Sequence, residues 1–140
     1  MSVRSLTLAA TASTLLGIGG LHVAWGRGST FPFVSRDRLN DVVVGRDATP
    51  SPGACYGIAG LLTAAAGLVA GLPTRRGRLR RAGVCTVALT LGTRAGLGFT
   101  GKTALVSPGS VSPTFVRMDR RVLAPLCAAL AAGAVASLPA

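Results

Sequence analysis

Four apolar runs occupy more than half of a chain of 140 residues: Leu6–Trp25, Ala54–Leu72, Ala82–Thr100 and Val122–Leu138. Each approaches the ~20 residues that an α-helix needs to cross a bilayer. A chain with four such runs has few residues left for anything else. The spacing predicts helices at about 6–25, 54–72, 82–100 and 114–138, the last starting early because Pro113 suits a first helical turn. The expected fold class is all-α: one domain, 1–140, built as a bundle of four transmembrane helices. The localisation that follows is a multi-pass protein of the cell membrane.

The charge stands against this at first sight. The net charge is +11, yet only 14% of residues are charged and the mean hydropathy is +0.55. A soluble domain would carry about 25% charged residues. Nucleic-acid binding would want aromatics interleaved with basic residues, and the basic segments lack them, so no nucleic-acid partner is expected. All but one of the 15 basic residues are Arg, alongside abundant Ala and Gly. That composition fits a GC-rich, bacterial genome.

The loops orient the chain. Thr74–Arg81 holds Arg75, Arg76, Arg78, Arg80 and Arg81 and no acid. A short loop this basic is expected in the cytoplasm. Both termini then lie there too, and Arg4 agrees. Gly26–Gly53 and Gly101–Arg121 face outward and hold all four acids, Asp37, Asp41, Asp47 and Asp119. A basic n-region before an apolar stretch also resembles a signal peptide. The apolar run continues well beyond the candidate cleavage motif at Ala10–Ala12, so an uncleaved helix is expected.

Glycines crowd the runs, with Gly67/Gly71 and Gly92/Gly96 in G-x-x-x-G spacing. Small residues let membrane helices approach closely. The expected use is packing inside the bundle rather than dimerisation.

An ionisable residue inside a span is costly and directs attention to itself. His22 and Arg94 qualify. Trp25 lies three residues from His22 and so shares its face; it is also placed to anchor at headgroup depth. Arg94 stands about 18 Å along its helix from Ala82, in the outer half of the hydrocarbon. Arginine keeps its proton, so it needs an anion, and Asp119 at the start of the fourth run is the natural partner. His22, Arg94 and Asp119 are thus expected in one outer-leaflet layer. Pro125 inside the last helix is expected to kink it beside Asp119. The three cysteines match no zinc pattern and no complete disulfide framework; no metal and no cofactor are expected.

The residues around these groups resemble a known family. Leu21-His22-x-x-Trp25-x-x-Gly28 followed by Phe31-Pro32, then Arg94-Ala95, then Phe115-x-Arg117-x-Asp119 leading to Pro125-Leu126-Cys127 resemble small bacterial four-helix membrane proteins grouped as domain of unknown function three-nine-nine-five. The resemblance implies the four-helix membrane fold and no particular activity. One departure is Leu123-Ala124, where the family pattern has Tyr-Ser. This chain lacks that hydroxyl pair.

Three functions fit. The first is an accessory protein that binds lipid or a partner at the outer polar cluster, with Arg94, Trp25 and Arg117 as binding residues. Its partners would be membrane lipids, with a protein partner or a homo-oligomer as further candidates. The second is a membrane enzyme on a lipophilic substrate, with His22 and Asp119 as acid–base groups and Arg94 as anion clamp. The third is a small proton-coupled transporter subunit.

Overall fold

The computed structural model describes residues 2–72 and 77–138. It is all-helical, with no strand among the described residues. α1 (Val3–Gly26) starts where the Ser2 hydroxyl accepts the Ser5 N–H. A short α2 (Arg36–Leu39) runs into a wider π turn over Asn40–Val44. α3 (Pro52–Ala70) begins with Pro52 at its first turn and with Ser51 as cap, and ends at Gly71 in the left-handed region. That is the ordinary proline-first, glycine-last grammar of a helix. α4 is Arg78–Thr100. α5 (Pro113–Met118) passes through a second π turn, Asp119–Leu123, into α6 (Ala124–Ala136).

α1, α3 and α4 are long and apolar enough to cross a membrane. At 1.5 Å per residue they measure roughly 36, 28 and 34 Å, against a hydrocarbon core of about 30 Å. The fourth expected helix is present but divided, and α6 alone has 13 residues. The backbone nevertheless stays right-handed helical through Asp119 and Ala124. Pro125 explains the interruption. Its ring would clash with the carbonyl four residues back in a regular helix, and the wider turn before it relieves that contact. The helix ends otherwise shift by a few residues. Arg78, Arg80 and Arg81, expected in a loop, form the first turn of α4. Arg75 and Arg76 lie outside the described residues.

α1 packs along α3, and α4 along α6; α1 also meets α6, and α3 meets α4. Leu15, Ala65, Ala66, Val69, Val84, Leu130 and Ala134 form the buried core between them. At the end that holds both chain termini, arginines close the helix ends. Arg4 donates to the carbonyls of Ala136 and Leu138 at 3.2 and 3.0 Å, and Arg80 to those of Leu68 and Ser137 at 3.1 and 3.3 Å. The last carbonyls of a helix have no partner within it, and cations there also favour the helix dipole. These two arginines therefore do structural work that a charge count does not reveal.

Glycine use differs from the expectation. Gly19 meets Ala59 and Leu62, Gly83 meets Leu68, Gly98 meets Ala124, and Gly133 meets Thr11. Gly67, Gly71, Gly92 and Gly96 have no neighbour within 4 Å of where a Cβ would stand. Neither G-x-x-x-G pair packs against a neighbour among the described residues. The spacing showed two small residues on one face of a helix but not which way that face points.

Candidate functional site

The end opposite the termini carries a folded cap rather than the open loops expected there. Ser35 caps α2 by accepting the Arg38 N–H. This seats Leu39 and Val42, each no more than 3% exposed, against the helices. The second outer segment is stitched to the first through Gly45. Its carbonyl accepts N–H groups from Val111 and Ser112, both at 3.0 Å. Ser110 donates to the Val44 carbonyl at 2.5 Å, and Ser112 to the Asp41 carboxylate at 2.7 Å. Gly45 sits at φ 78°, with the Phe115 ring where a Cβ would be. Hydrogen bonds from the Ser112 and Thr114 hydroxyls, aided by the Arg38 charge, hold the Asp41 carboxyl below its ordinary value.

Beneath this cap lies a cavity of about 390 Å³, within the range of small-ligand sites. Its basic rim comprises Arg36, Arg46 and Arg94, with His22 and Trp25 beside them. Leu39, Val43, Val44, Ile58 and Phe115 supply apolar wall. No carboxylate lines it among the described residues. Cys55 lines it as well. No group of three or more His, Cys, Asp or Glu placed to hold a metal occurs among the described residues.

His22 and Trp25 share a face as expected, with ring centroids 5.0 Å apart and tilted by 56°. The His22 Nδ1 is 2.9 Å from the Ile18 carbonyl one turn back. It therefore carries the proton in the neutral ring, which leaves Nε2 as the nitrogen able to accept. The Trp25 indole N–H donates to the Phe31 carbonyl at 2.7 Å, so its polar edge shapes the loop after α1.

Arg94 meets Asp119 through two hydrogen bonds. Nη2 reaches Oδ1 at 2.6 Å, and Nη1 reaches Oδ2 at 3.2 Å. This fork-to-fork geometry is the strongest form of the pair. The Thr103 hydroxyl, from the 3-10 turn Thr103–Leu105, adds a short hydrogen bond to Oδ2. Asp119 is 1% exposed and lies behind Arg94 rather than on the cavity wall. Gly98, one turn beyond Arg94, makes the approach possible. A Cβ there would stand 2.7 Å from the Ala124 side chain, 3.0 Å from the Arg94 guanidinium and 3.2 Å from the Asp119 carboxylate.

The structure thus brings His22, Trp25 and Arg94 to one cavity and sets Asp119 directly behind Arg94. It does not bring Arg117 there. That residue stands on the outer flank of α5, beside Arg120 and Arg121. Asp119 has both oxygens engaged and does not line the cavity. Sequence reasoning missed Arg36 and Arg46, whose charges alternate with those of Asp37, Asp41 and Asp47 along the segment. The available signal was Ser35 as a cap followed by Leu39, Val42 and Val43 at helical spacing. Thr103 gave no signal. Gly98 gave a weak one: a small residue one turn from a buried arginine leaves room for that arginine's partner.

The apolar core fills the helices between the cavity and the opposite end. The hydroxyls of Thr7, Thr11, Thr14, Thr63 and Thr86 along this stretch donate to carbonyls of their own helices.

A family model described as a protein of unknown function (DUF3995) matches residues 15–134. No curated protein and no solved structure matches the chain.

Proposed function

The chain belongs to this family of unknown function, DUF3995, and from that premise we propose that it is a four-span membrane protein which binds an anionic amphiphile in its capped cavity. Three spans are α1, α3 and α4, and the continuous helix from α5 through α6 supplies the fourth. Both termini are cytoplasmic, and the cavity opens at the outer leaflet. Arg4, Arg78, Arg80 and Arg81 at the terminal end support this orientation through the positive-inside bias.

One observation carries the binding reading: three arginines and a histidine on a cavity walled by apolar side chains and hydroxyls, with no lining carboxylate among the described residues. Arg94 already has its anion. Arg36 and Arg46 each bond a backbone carbonyl, of Gly28 and Pro108, and keep further N–H donors. Such a lining suits a phosphate or carboxylate with a short apolar segment attached. The accessory role, with lipid or a partner as ligand, is the reading the geometry supports best.

The enzyme alternative keeps His22 as an acid–base group at the cavity and loses Asp119, which is held behind Arg94. The transporter alternative would need polar groups through the inner half. There the core is apolar and the threonine hydroxyls are occupied.

The reading is tested with hexyl phosphate and its neutral analogue hexanol, added to the purified protein in a neutral detergent. Hexyl phosphate is expected to raise Tm, and hexanol is not. Arg36→Gln with Arg46→Gln is expected to abolish the rise while leaving the ligand-free Tm near wild type. Equal stabilisation of wild type and the double variant would sink the proposal.

A further inference from the structure

A second basic surface lies outside the cavity, on the flank of the helix that starts at Pro113. Arg117, Arg120 and Arg121 are spaced by three and four residues, so they share one side of a helix. Two shallow grooves meet on them. One, of about 440 Å³, runs along Pro113, Val116, Arg117, Arg120 and Arg121. The other, of about 230 Å³, runs past Arg38, Val42, Arg117, Met118, Arg121 and Val122. Arg117 and Arg121 border both. All three arginines are exposed, and none has a carboxylate partner among the described residues.

Their height along the helix is informative. Val122 to Ala136 makes roughly 22 Å of helix, and the residues after it extend the segment toward the ~30 Å of a hydrocarbon core. The arginines just above Val122 therefore stand where lipid phosphates lie. The next turn exposes an apolar side chain, with Val122 48% exposed. Basic residues at the outer end of a span also oppose the charge bias that orients membrane proteins. A compensating contact accounts for three of them in one place. The planar fork of arginine matches the paired oxygens of a phosphate.

We propose that Arg117, Arg120 and Arg121 hold the phosphate of an anionic phospholipid in the leaflet that meets this end of the bundle. Met118 and Val122 lie along the first carbons of its acyl chains. The site rests on the membrane-spanning part of the reading above and not on the cavity.

The test uses the full-length protein in neutral detergent, with bound lipid counted by native mass spectrometry. Phosphatidylglycerol, phosphatidylcholine and inorganic phosphate are titrated separately. Wild type is expected to retain phosphatidylglycerol over phosphatidylcholine. Replacing all three arginines by Gln is expected to weaken phosphatidylglycerol binding by roughly 10- to 100-fold, given the usual worth of a basic residue at an anionic surface. On the background of the cavity variant Arg36→Gln/Arg46→Gln, which removes binding in the cavity, the same three substitutions should still weaken phosphatidylglycerol binding to that extent. Loss in the cavity variant with retention in the triple variant would overturn the assignment. Inorganic phosphate at millimolar concentration displacing the lipid would also overturn it, since the site would then be one for a soluble anion. A second measurement needs no variant. In nanodiscs, phosphatidylglycerol with a photoreactive group near the headgroup should label residues 113–122 of the wild-type chain. Labelling confined to other segments would overturn the proposal.

Discussion

The Arg94 guanidinium and the Asp119 carboxylate face each other in parallel, joined by bonds of 2.6 and 3.2 Å across two helices 25 residues apart in sequence. The carboxylate is almost fully buried, whereas about a quarter of the Arg94 side chain is exposed. A pair of this kind adds little net stability, yet losing one partner strands the other charge. Arg94→Leu is expected to destabilise by about 3–5 kcal/mol. Arg94→Leu with Asp119→Leu should cost clearly less. Thermal melts of the three proteins in detergent measure this, and equal losses for the single and double variants would remove the coupling.

Gly98 is where the pair and Ala124 converge. Gly98→Ala adds one methyl to a filled space, and overpacking of that kind costs about 1–3 kcal/mol. Gly96→Ala, two residues earlier and facing nothing, is the control and should be neutral or slightly stabilising, since Ala is the better helix former. A Gly98→Ala protein as stable as wild type would contradict the packing described here.

At Gly45 two penalties coincide. Its φ of 78° disfavours any side chain, and the Phe115 ring occupies the Cβ position. Gly45→Ala is expected to cost about 2 kcal/mol or more. It should also loosen the cap, which limited proteolysis between α2 and α3 would report as faster cleavage.

The Asp41 carboxyl titrates below its usual value of 3.8 because Ser112 and Thr114 donate to its ionised form. A group whose pKa is lowered by folding contributes stability that is complete above the unfolded value and disappears as pH falls through the folded one. Wild type should therefore be more stable than Asp41→Asn at neutral pH. The Tm gap should stay constant above about pH 5 and close below about pH 4. A gap that widens in acid would reverse the sign.

For the orientation, single cysteines report best in a chain freed of Cys55, Cys85 and Cys127. A cysteine at Asp47 is expected to react with an impermeant maleimide on intact cells. One at Arg78 should react only after permeabilisation. The opposite pattern would invert the proposed topology.

Much of the helical framework was legible because length and hydropathy alone specify it. Leu6–Trp25 and Ala54–Leu72 fall within two residues of α1 and α3 at the C-terminal end. The Arg94–Asp119 pair was legible for a different reason: arginine cannot neutralise itself, and the topology offered one nearby acid. His22 and Trp25 followed from helical spacing. The cap was not legible as such, because Leu39, Val42 and Phe115 are buried by contacts between segments about 70 residues apart. The cavity arginines were hidden for the same reason. Arg36 and Arg46 look solvated until the cap folds them over the helix ends.

Asp119 and Ala124 both face Gly98, although five residues separate them. In a regular α-helix five steps of 100° leave two side chains about 140° apart. The segment therefore contains one residue more than an α-helix between those points would, and the π turn absorbs it. A chain one residue shorter between Arg120 and Leu123 would close as ordinary α-helix. Everything beyond would then keep its face, because four steps of 100° return to within about 40° of Asp119. A one-residue difference at this point in a relative would switch the turn between π and α and leave the lower half of the helix in register.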